Sequence, residues 1–314
     1  MTRFRPYAYS LVLLPWFSIG ACVAPPGDPA VPTVTAALVL PDPDRFGDYW
    51  YQGQAELTSY SLEQARYGEI HAGEAVLIFV TEDFSRSKQV KADFPDRSSD
   101  DRVTVMKLNF TKKFTTGIYP YSMMASVFTP IDGPEARTLK MTATSQEWCG
   151  HTFTQFNWRK GAYDVKLYSY FEEENDRTIR LDGVLLEDEL WSRIRLAPDA
   201  LPAGEIEIVP GSLYQRLSHD DWEVRRAVAK TEDAGDGMRR FTLVYPELGR
   251  TLAIRFNNAF PYEIEGWEDT HRSGFGSNAP SLTTRATRNK RIMLDYWNRH
   301  NTDDLPLRQE LGLD

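Results

Sequence analysis

The feature that most restricts this chain is a period of two. From Tyr49 onward apolar and polar residues alternate, and glycine-bearing or charged pairs break the alternation at short intervals. In one run Tyr119, Tyr121, Met123, Ala125 and Val127 fall on a single face, and in another Tyr163, Val165, Leu167, Ser169 and Phe171 do. Side chains of a strand point alternately to its two faces, so these runs describe half-buried strands. The pattern predicts strands near 52–60, 73–84, 87–93, 102–112, 118–129, 138–148, 151–158, 162–172, 177–182, 204–209, 222–230, 238–245, 250–256 and 260–270. Connections such as Arg159-Lys160-Gly161-Ala162 are too short for the crossover that parallel neighbours require, so consecutive strands pair antiparallel. The expected fold class is therefore mainly β, a large antiparallel sheet forming an open barrel or a β-sandwich. Tyr168 and Tyr170 alternate with Leu167 and Phe171, so both faces of the sheet are covered somewhere.

Two segments carry a helical pattern, near 186–197 and near 284–299. In the first, Leu186, Leu190 and Ile194 recur at a spacing of four before Pro198 stops the run. In the second, Ile292, Met293, Tyr296 and Trp297 face one way and Arg288, Lys290 and Arg291 the other. Both are expected to cover the sheet. Strands do not alternate with long helices, and neither G-x-x-x-x-G-K-[ST] nor G-x-G-x-x-G occurs, which argues against a parallel-sheet nucleotide fold.

Residues 1–21 have the order of an export signal: Arg3 and Arg5, an uncharged apolar stretch from Leu11 to Ile19, then small Gly20 and Ala21 before Cys22. The apolar stretch is too short to span a bilayer core, which takes about 20 residues. Ile19-Gly20-Ala21-Cys22 reads as a lipobox, with Cys22 as the acylated residue. Two or more acyl chains hold stably where a single one does not. Residues 22–45 carry Pro25, Pro26, Pro29, Pro32, Pro41 and Pro43, the composition of an extended tether with a reach on the order of 75 Å. Residues 46–314 are expected to form a single β-rich domain. Val23, rather than Asp, follows the cysteine, which resembles an outer-membrane sorting pattern and places the expected domain in the periplasm.

Charge and cysteine content narrow the partners. With 36 basic and 45 acidic residues the net charge is −9, and loss of Arg3 and Arg5 with the signal takes it to −11. That balance excludes a nucleic-acid footprint and disfavours attraction to anionic headgroups. Once Cys22 is acylated, Cys149 has no disulfide partner.

The densest chemistry lies in Thr144-Ser145-Gln146-Glu147-Trp148-Cys149-Gly150-His151-Thr152. On an extended chain Glu147, Cys149 and His151 share a face, where an imidazole could activate a thiol. The competing reading makes Cys149 a small buried hydrophobe, Gly150 a bulge, and Trp148 a buried aromatic in a hairpin closing over the core. His71, His219 and His271 could add metal ligands to Cys149 and His151, but they lack zinc spacing, so no metal and no cofactor is expected. Glu263 with Glu265, Glu268 with Asp269, and Glu82 with Asp83 are carboxylate pairs of the kind glycosidases use, although an acidic chain produces such pairs by coincidence. No G-x-S-x-G elbow is present. Tyr119, Tyr121, Met123, Phe156 and Trp158 either line a groove for an acyl chain or belong to the core.

Tyr49-Trp50-Tyr51-Gln52-Gly53-Gln54-Ala55-Glu56, Tyr67-Gly68-Glu69-Ile70-His71-Ala72-Gly73-Glu74-Ala75, Asn109-Phe110-Thr111-Lys112-Lys113-Phe114, Gly117-Ile118-Tyr119-Pro120-Tyr121-Ser122 and Ser145-Gln146-Glu147-Trp148-Cys149-Gly150-His151 resemble an uncharacterised family of bacterial lipoproteins, some labelled septum formation inhibitor Maf. The small-residue and double-arginine motif of true Maf nucleotide pyrophosphatases is absent, so that activity does not carry over. More loosely, the sheet with helices is similar to the open barrels of periplasmic lipoprotein carriers. The resulting expectation is a lipid-anchored envelope lipoprotein, a non-enzymatic binding or structural module for an apolar ligand or an envelope partner. The alternative is a hydrolase using Glu147, Cys149 and His151.

Overall fold

The computed structural model describes residues 39–93, 100–131, 137–276 and 278–313. The export signal, Cys22 and most of the proline-rich stretch lie outside the described residues. The first half of the domain supplies β1 (Ala55–Arg66), β2 (Glu69–Ser85), β3 (Val90–Lys91), β4 (Arg102–Thr116), β5 (Tyr119–Pro130), β6 (Lys140–Glu147), β7 (Gly150–Arg159), β8 (Ala162–Tyr168) and β9 (Arg177–Asp182). The second supplies β10 (Leu185–Leu186), β11 (Gly204–Val209), β12 (Arg225–Gly235), β13 (Met238–Tyr245), β14 (Arg250–Asn257), β15 (Ile264–Arg272) and β16 (Ser281–Leu294). Four α-helices accompany them among the described residues: α1 (Pro43–Trp50), α2 (Glu187–Leu196), α3 (Ser212–Ser218) and α4 (Pro306–Glu310).

All the strands join one open sheet in the order β10-β11-β12-β13-β14-β15-β16-β1-β2-β4-β5-β6-β7-β8-β9, with β3 paired to β2. Pairing is antiparallel except between β10 and β11. The mainly β, antiparallel fold class read from the period of two is the fold observed. The two ends of the order, β9 and β10, are separated in sequence only by Gly183 and Val184. Asp182 and Leu185 are therefore within about 11 Å of each other, and the sheet curls until its ends approach.

The chain runs from β10 directly into α2, which occupies the inside of that curl, and all ten of its residues are buried. Trp191 meets the rings of Phe110 and Trp267 at 5.0 and 5.2 Å, so the helix packs on β4 and β15 at once. Around it lie the inward residues of the alternating runs, including Leu77, Met106, Leu108, Val127 and Val165, each at most 1 % exposed. Tyr121, Met123 and Phe156 belong to the same core, so these three fill space rather than line a groove.

Three local expectations are corrected. The segment near 284–299 is not a helix: β16 occupies Ser281–Leu294 and pairs with both β15 and β1. Its basic residues are cross-strand partners, with Arg285 3.2 Å from Glu268, Arg288 3.0 Å from both Glu263 and Glu265, and Arg291 2.6 Å from Glu263. Pairing on both edges overrides a helical charge pattern. Residues 43–45, placed in the extended tether, instead open α1, where Asp42 caps the helix by accepting the Arg45 N–H at 3.0 Å and Pro43 takes the first turn. Trp148, expected in the core, is 68 % exposed.

Strand directions place the connections at two ends. The turns at Tyr67-Gly68, Gly117-Ile118 and Trp148-Cys149, the loops 169–176 and 246–249, residues 273–276 and 278–280, and α3 all fall at one end, while α1 leads into the other end at Ala55.

Candidate functional site

At the first of those ends is a cavity of about 470 Å³, bounded by the β1–β2 turn, α3 and the β15–β16 loop. Its aromatic walls are Tyr67, Tyr214 and Phe275, and its polar groups include His219, Asp220 and His271.

The floor is fixed by Arg250. Its guanidinium donates to both carboxylate oxygens of Glu187 at 2.7 and 2.8 Å and to both of Asp269 at 2.8 and 2.9 Å. It also lies 4.0 Å from the Tyr214 ring centroid. Burial pushes the Asp269 carboxyl up, but the Arg250 charge and hydrogen bonds overcome that and hold it below the usual carboxylate range. Next to Glu187, Asp188 receives the Ser212 backbone N–H at 2.8 Å and its hydroxyl at 2.7 Å, which joins the start of α3 to α2. Gly211 precedes α3 because a Cβ there would stand 2.3 Å from a Glu187 carboxylate oxygen. In this way α2, inside the sheet, sets the position of α3 at its mouth.

Behind His219 of the wall runs a relay of charged side chains. Glu147 accepts from Arg216 at 2.5 Å, and Arg216 lies 3.6 Å from Glu174, whose Oε1 is 2.5 Å from Nδ1 of His219. Burial raises the Glu174 carboxyl, but hydrogen bonds from His219 and Ser169 and the charge of Arg216 outweigh it and hold the group ionised below its usual range. An ionised carboxylate only accepts, so Nδ1 of His219 carries the proton and Nε2 is left for other contacts. His219 itself ends α3 in the left-handed region, at φ 60°. Opposite, Nδ1 of His271 donates to the Arg272 carbonyl at 2.9 Å, so a neutral ring presents Nε2 as an acceptor. Tyr67 bonds the hydroxyls of Tyr121 and Tyr119 at 2.8 and 2.9 Å.

The stretch singled out by sequence is divided by its turn. A two-residue connection, Trp148-Cys149, joins β6 to β7, so Glu147 pairs with Gly150 and Gln146 with His151. Glu147 then faces inward, 7 % exposed, whereas His151 sits with Gln146 on the exposed face and Cys149 is exposed in the turn. The three side chains would share a face on an unbroken strand but do not across a hairpin. Cys149 is accordingly not the buried hydrophobe of the competing reading. Of the aromatic candidates, Tyr119 joins the Tyr67 hydroxyl cluster and stacks on Trp148 at 6.3 Å, while Trp158 packs edge-on against Tyr163 at 4.9 Å.

The carboxylate pairs are cross-strand ion partners. Glu263 and Glu265 meet Arg288, and Glu82 lies 3.4 Å from Lys107 with Asp83 3.6 Å from Arg102. Among the described residues no three His, Cys, Asp or Glu side chains gather as a metal site. No described helix is long and apolar enough to cross a membrane. The sequence reading named His219 and His271 only as scattered ligand candidates and had no expectation for α3 or the loop 273–280, which together build the cavity. No family model, curated protein or solved structure matches the chain.

Proposed function

We propose that this chain is a lipid-anchored lipoprotein of the bacterial envelope, held through Cys22, and that it is a non-enzymatic binding module whose ligand or partner is received at the cavity between α3 and the β15–β16 loop. The observation that carries the binding site is the burial of all of α2 inside the sheet. A carrier of the open-barrel kind holds its ligand where this protein holds a helix, so the concave surface left for a ligand is at the end.

The direction of the chain puts α1 and the cavity at opposite ends of β1. The tether leads into α1, and β1 then runs from Ala55 to Arg66 at the cavity, roughly 36 Å at the rise of an extended strand. The cavity therefore opens at the end of the sheet away from α1. The hydrolase alternative loses its residues, because Glu147, Cys149 and His151 occupy different faces of a hairpin.

Two experiments test this. Cys22→Ala should move the full chain from the membrane fraction to the soluble periplasmic fraction, and retention in the membrane overturns the anchor. Native mass spectrometry of full-length protein extracted from membranes should show a bound ligand on wild type that is lost in Ala279→Trp, which fills the cavity wall. Identical masses for bound species in the two proteins overturn the end cavity as the site.

A further inference from the structure

We propose that the end cavity is a saccharide site, in which a neutral sugar ring lies against Phe275 and its hydroxyls bond to Asp220 and His271; the proposal rests on the cavity being the ligand site. The first observation is the aromatic ledge. Phe275 is 81 % exposed although it lies at the rim of a cavity, and its inner face rests on Tyr67 with ring centroids 5.7 Å apart. Gly274 and Gly276 beside it stand at φ 114° and 81°, conformations that residues other than glycine rarely adopt and that let the chain turn Phe275 outward. An exposed aromatic fixed by its backbone at a cavity rim is a contact surface waiting for an apolar face. The C–H faces of a pyranose supply such a face while its edge stays polar.

The second observation is the balance of donors and acceptors. The cations at the cavity are already engaged: Arg66 donates to the Leu217 carbonyl and stacks 4.2 Å over Tyr67, and Arg272 donates to the Gly276 carbonyl at 3.2 Å. A phosphate or carboxylate would have to draw these guanidinium groups away from the carbonyl and ring contacts they already make. Acceptors remain instead. Asp220 gives one carboxylate oxygen to the Tyr214 hydroxyl at 3.1 Å, its other oxygen has no partner among the described residues, and His271 presents Nε2. Hydroxyl donors satisfy both without bringing charge, and the volume of about 470 Å³ accommodates a sugar ring with its neighbour.

The test is saturation-transfer difference NMR on full-length protein in a polyoxyethylene detergent, which contains no sugar. The probes are the common aldohexoses, their N-acetylamino forms and their α- and β-linked disaccharides at millimolar concentration, with inorganic phosphate and free amino acids as competitors. Wild type should give transfer concentrated on the ring C–H protons of at least one sugar, reduced at least about tenfold in both Phe275→Ala and Asp220→Asn, with phosphate and amino acids failing to compete. Both variants should keep the wild-type circular dichroism, since neither residue is in the core. Transfer from no sugar, transfer unaltered by both substitutions, or displacement by phosphate or an amino acid overturns the saccharide assignment. If mass spectrometry also shows a non-sugar ligand lost in Ala279→Trp, the saccharide class fails while the end cavity stands.

Discussion

Arg195 of the buried helix meets Glu56 of β1 in a two-point ion pair, Nη1 to Oε1 at 2.5 Å and Nη2 to Oε2 at 2.7 Å, with both side chains 1 % exposed. The pair ties the far end of α2 to the wall, and the guanidinium is further enclosed between Trp50 at 5.0 Å and Phe79 at 4.8 Å. Removing Arg195 leaves the buried Glu56 carboxylate with the Tyr49 hydroxyl and the more distant Arg291 at 3.8 Å; breaking such a buried pair costs about 3–5 kcal/mol, whereas replacing both partners with apolar groups is often close to neutral. Arg195→Met should therefore lower the urea midpoint sharply, and Glu56→Leu with Arg195→Met should recover most of the loss. A single variant as stable as wild type would show that the pair does not hold the helix.

Lys112 gives the fold a pH dependence of unusual sign. Its ammonium is buried, 3.4 Å from the Gln64 side-chain carbonyl and 5.5 Å from the Phe110 ring centroid. Burial lowers its pKa to about 8, with the charge of Asp269 opposing the shift and that of Arg250 adding to it. The unfolded chain keeps this proton up to the ordinary lysine range, so between pH 8 and about 10.5 the unfolded state binds more protons and stability rises with pH. Below pH 8 the penalty is fully present, with an upper value of about 3 kcal/mol. Lys112→Met should be more stable than wild type at pH 7 by chemical denaturation, and the gap should narrow toward pH 10. A gap that is constant across that window excludes Lys112 as the titrating group.

Exposure predicts a mild effect at Trp148, where a buried ring would have given a severe one. Trp148→Ala and Cys149→Ser each alter a side chain in an exposed turn, so each should change stability by no more than about 0.5 kcal/mol. The Cys149 thiol should react with a bulky aromatic disulfide reagent in the native protein at a rate close to that of the unfolded chain. Protection until unfolding would place the turn under cover.

What the sequence made legible was the part governed by local period. The runs of alternating residues located β4 to β9 and β11 to β15 to within a few residues, because one face of each is committed to the core. The spacing of Leu190 and Ile194 located α2, but nothing in it showed that the polar residues between them are also buried: Glu187, Arg193 and Arg195 look like a solvent face until their partners Arg250, Glu189 and Glu56 are known. The same blindness turned β16 into a helix, since its arginines answer acids on β15 that only the pairing brings alongside. The cavity was hidden for a related reason. It is assembled from Tyr67, His219, Asp220, His271 and Phe275, which are joined by turns at one end of a curled sheet and carry no common spacing.

Gly150 and Gly73 separate two reasons for a glycine in a strand. At Gly73 an added Cβ would stand 2.3 Å from the Lys113 carbonyl oxygen and 2.8 Å from the Phe114 Cβ, in the ladder between β2 and β4. Both strands are fixed by neighbours on each side, so Gly73→Ala must strain the backbone and should cost about 1–3 kcal/mol or more by urea unfolding. At Gly150 the obstacle is the Tyr170 ring, 2.4 Å from the added Cβ at Cγ, and Tyr170 is a 63 % exposed residue of the 169–176 loop. That loop can shift without opening the sheet, but it carries Glu174, the carboxylate that holds His219 at the cavity. Gly150→Ala should thus unfold close to wild type while the His219 imidazole signals move in the NMR spectrum and those of His300, which follows the other end of β16, do not. Unchanged His219 signals would mean that the displacement of Tyr170 does not reach Glu174, and a midpoint as low as that of Gly73→Ala would mean that the loop is held as rigidly as the ladder.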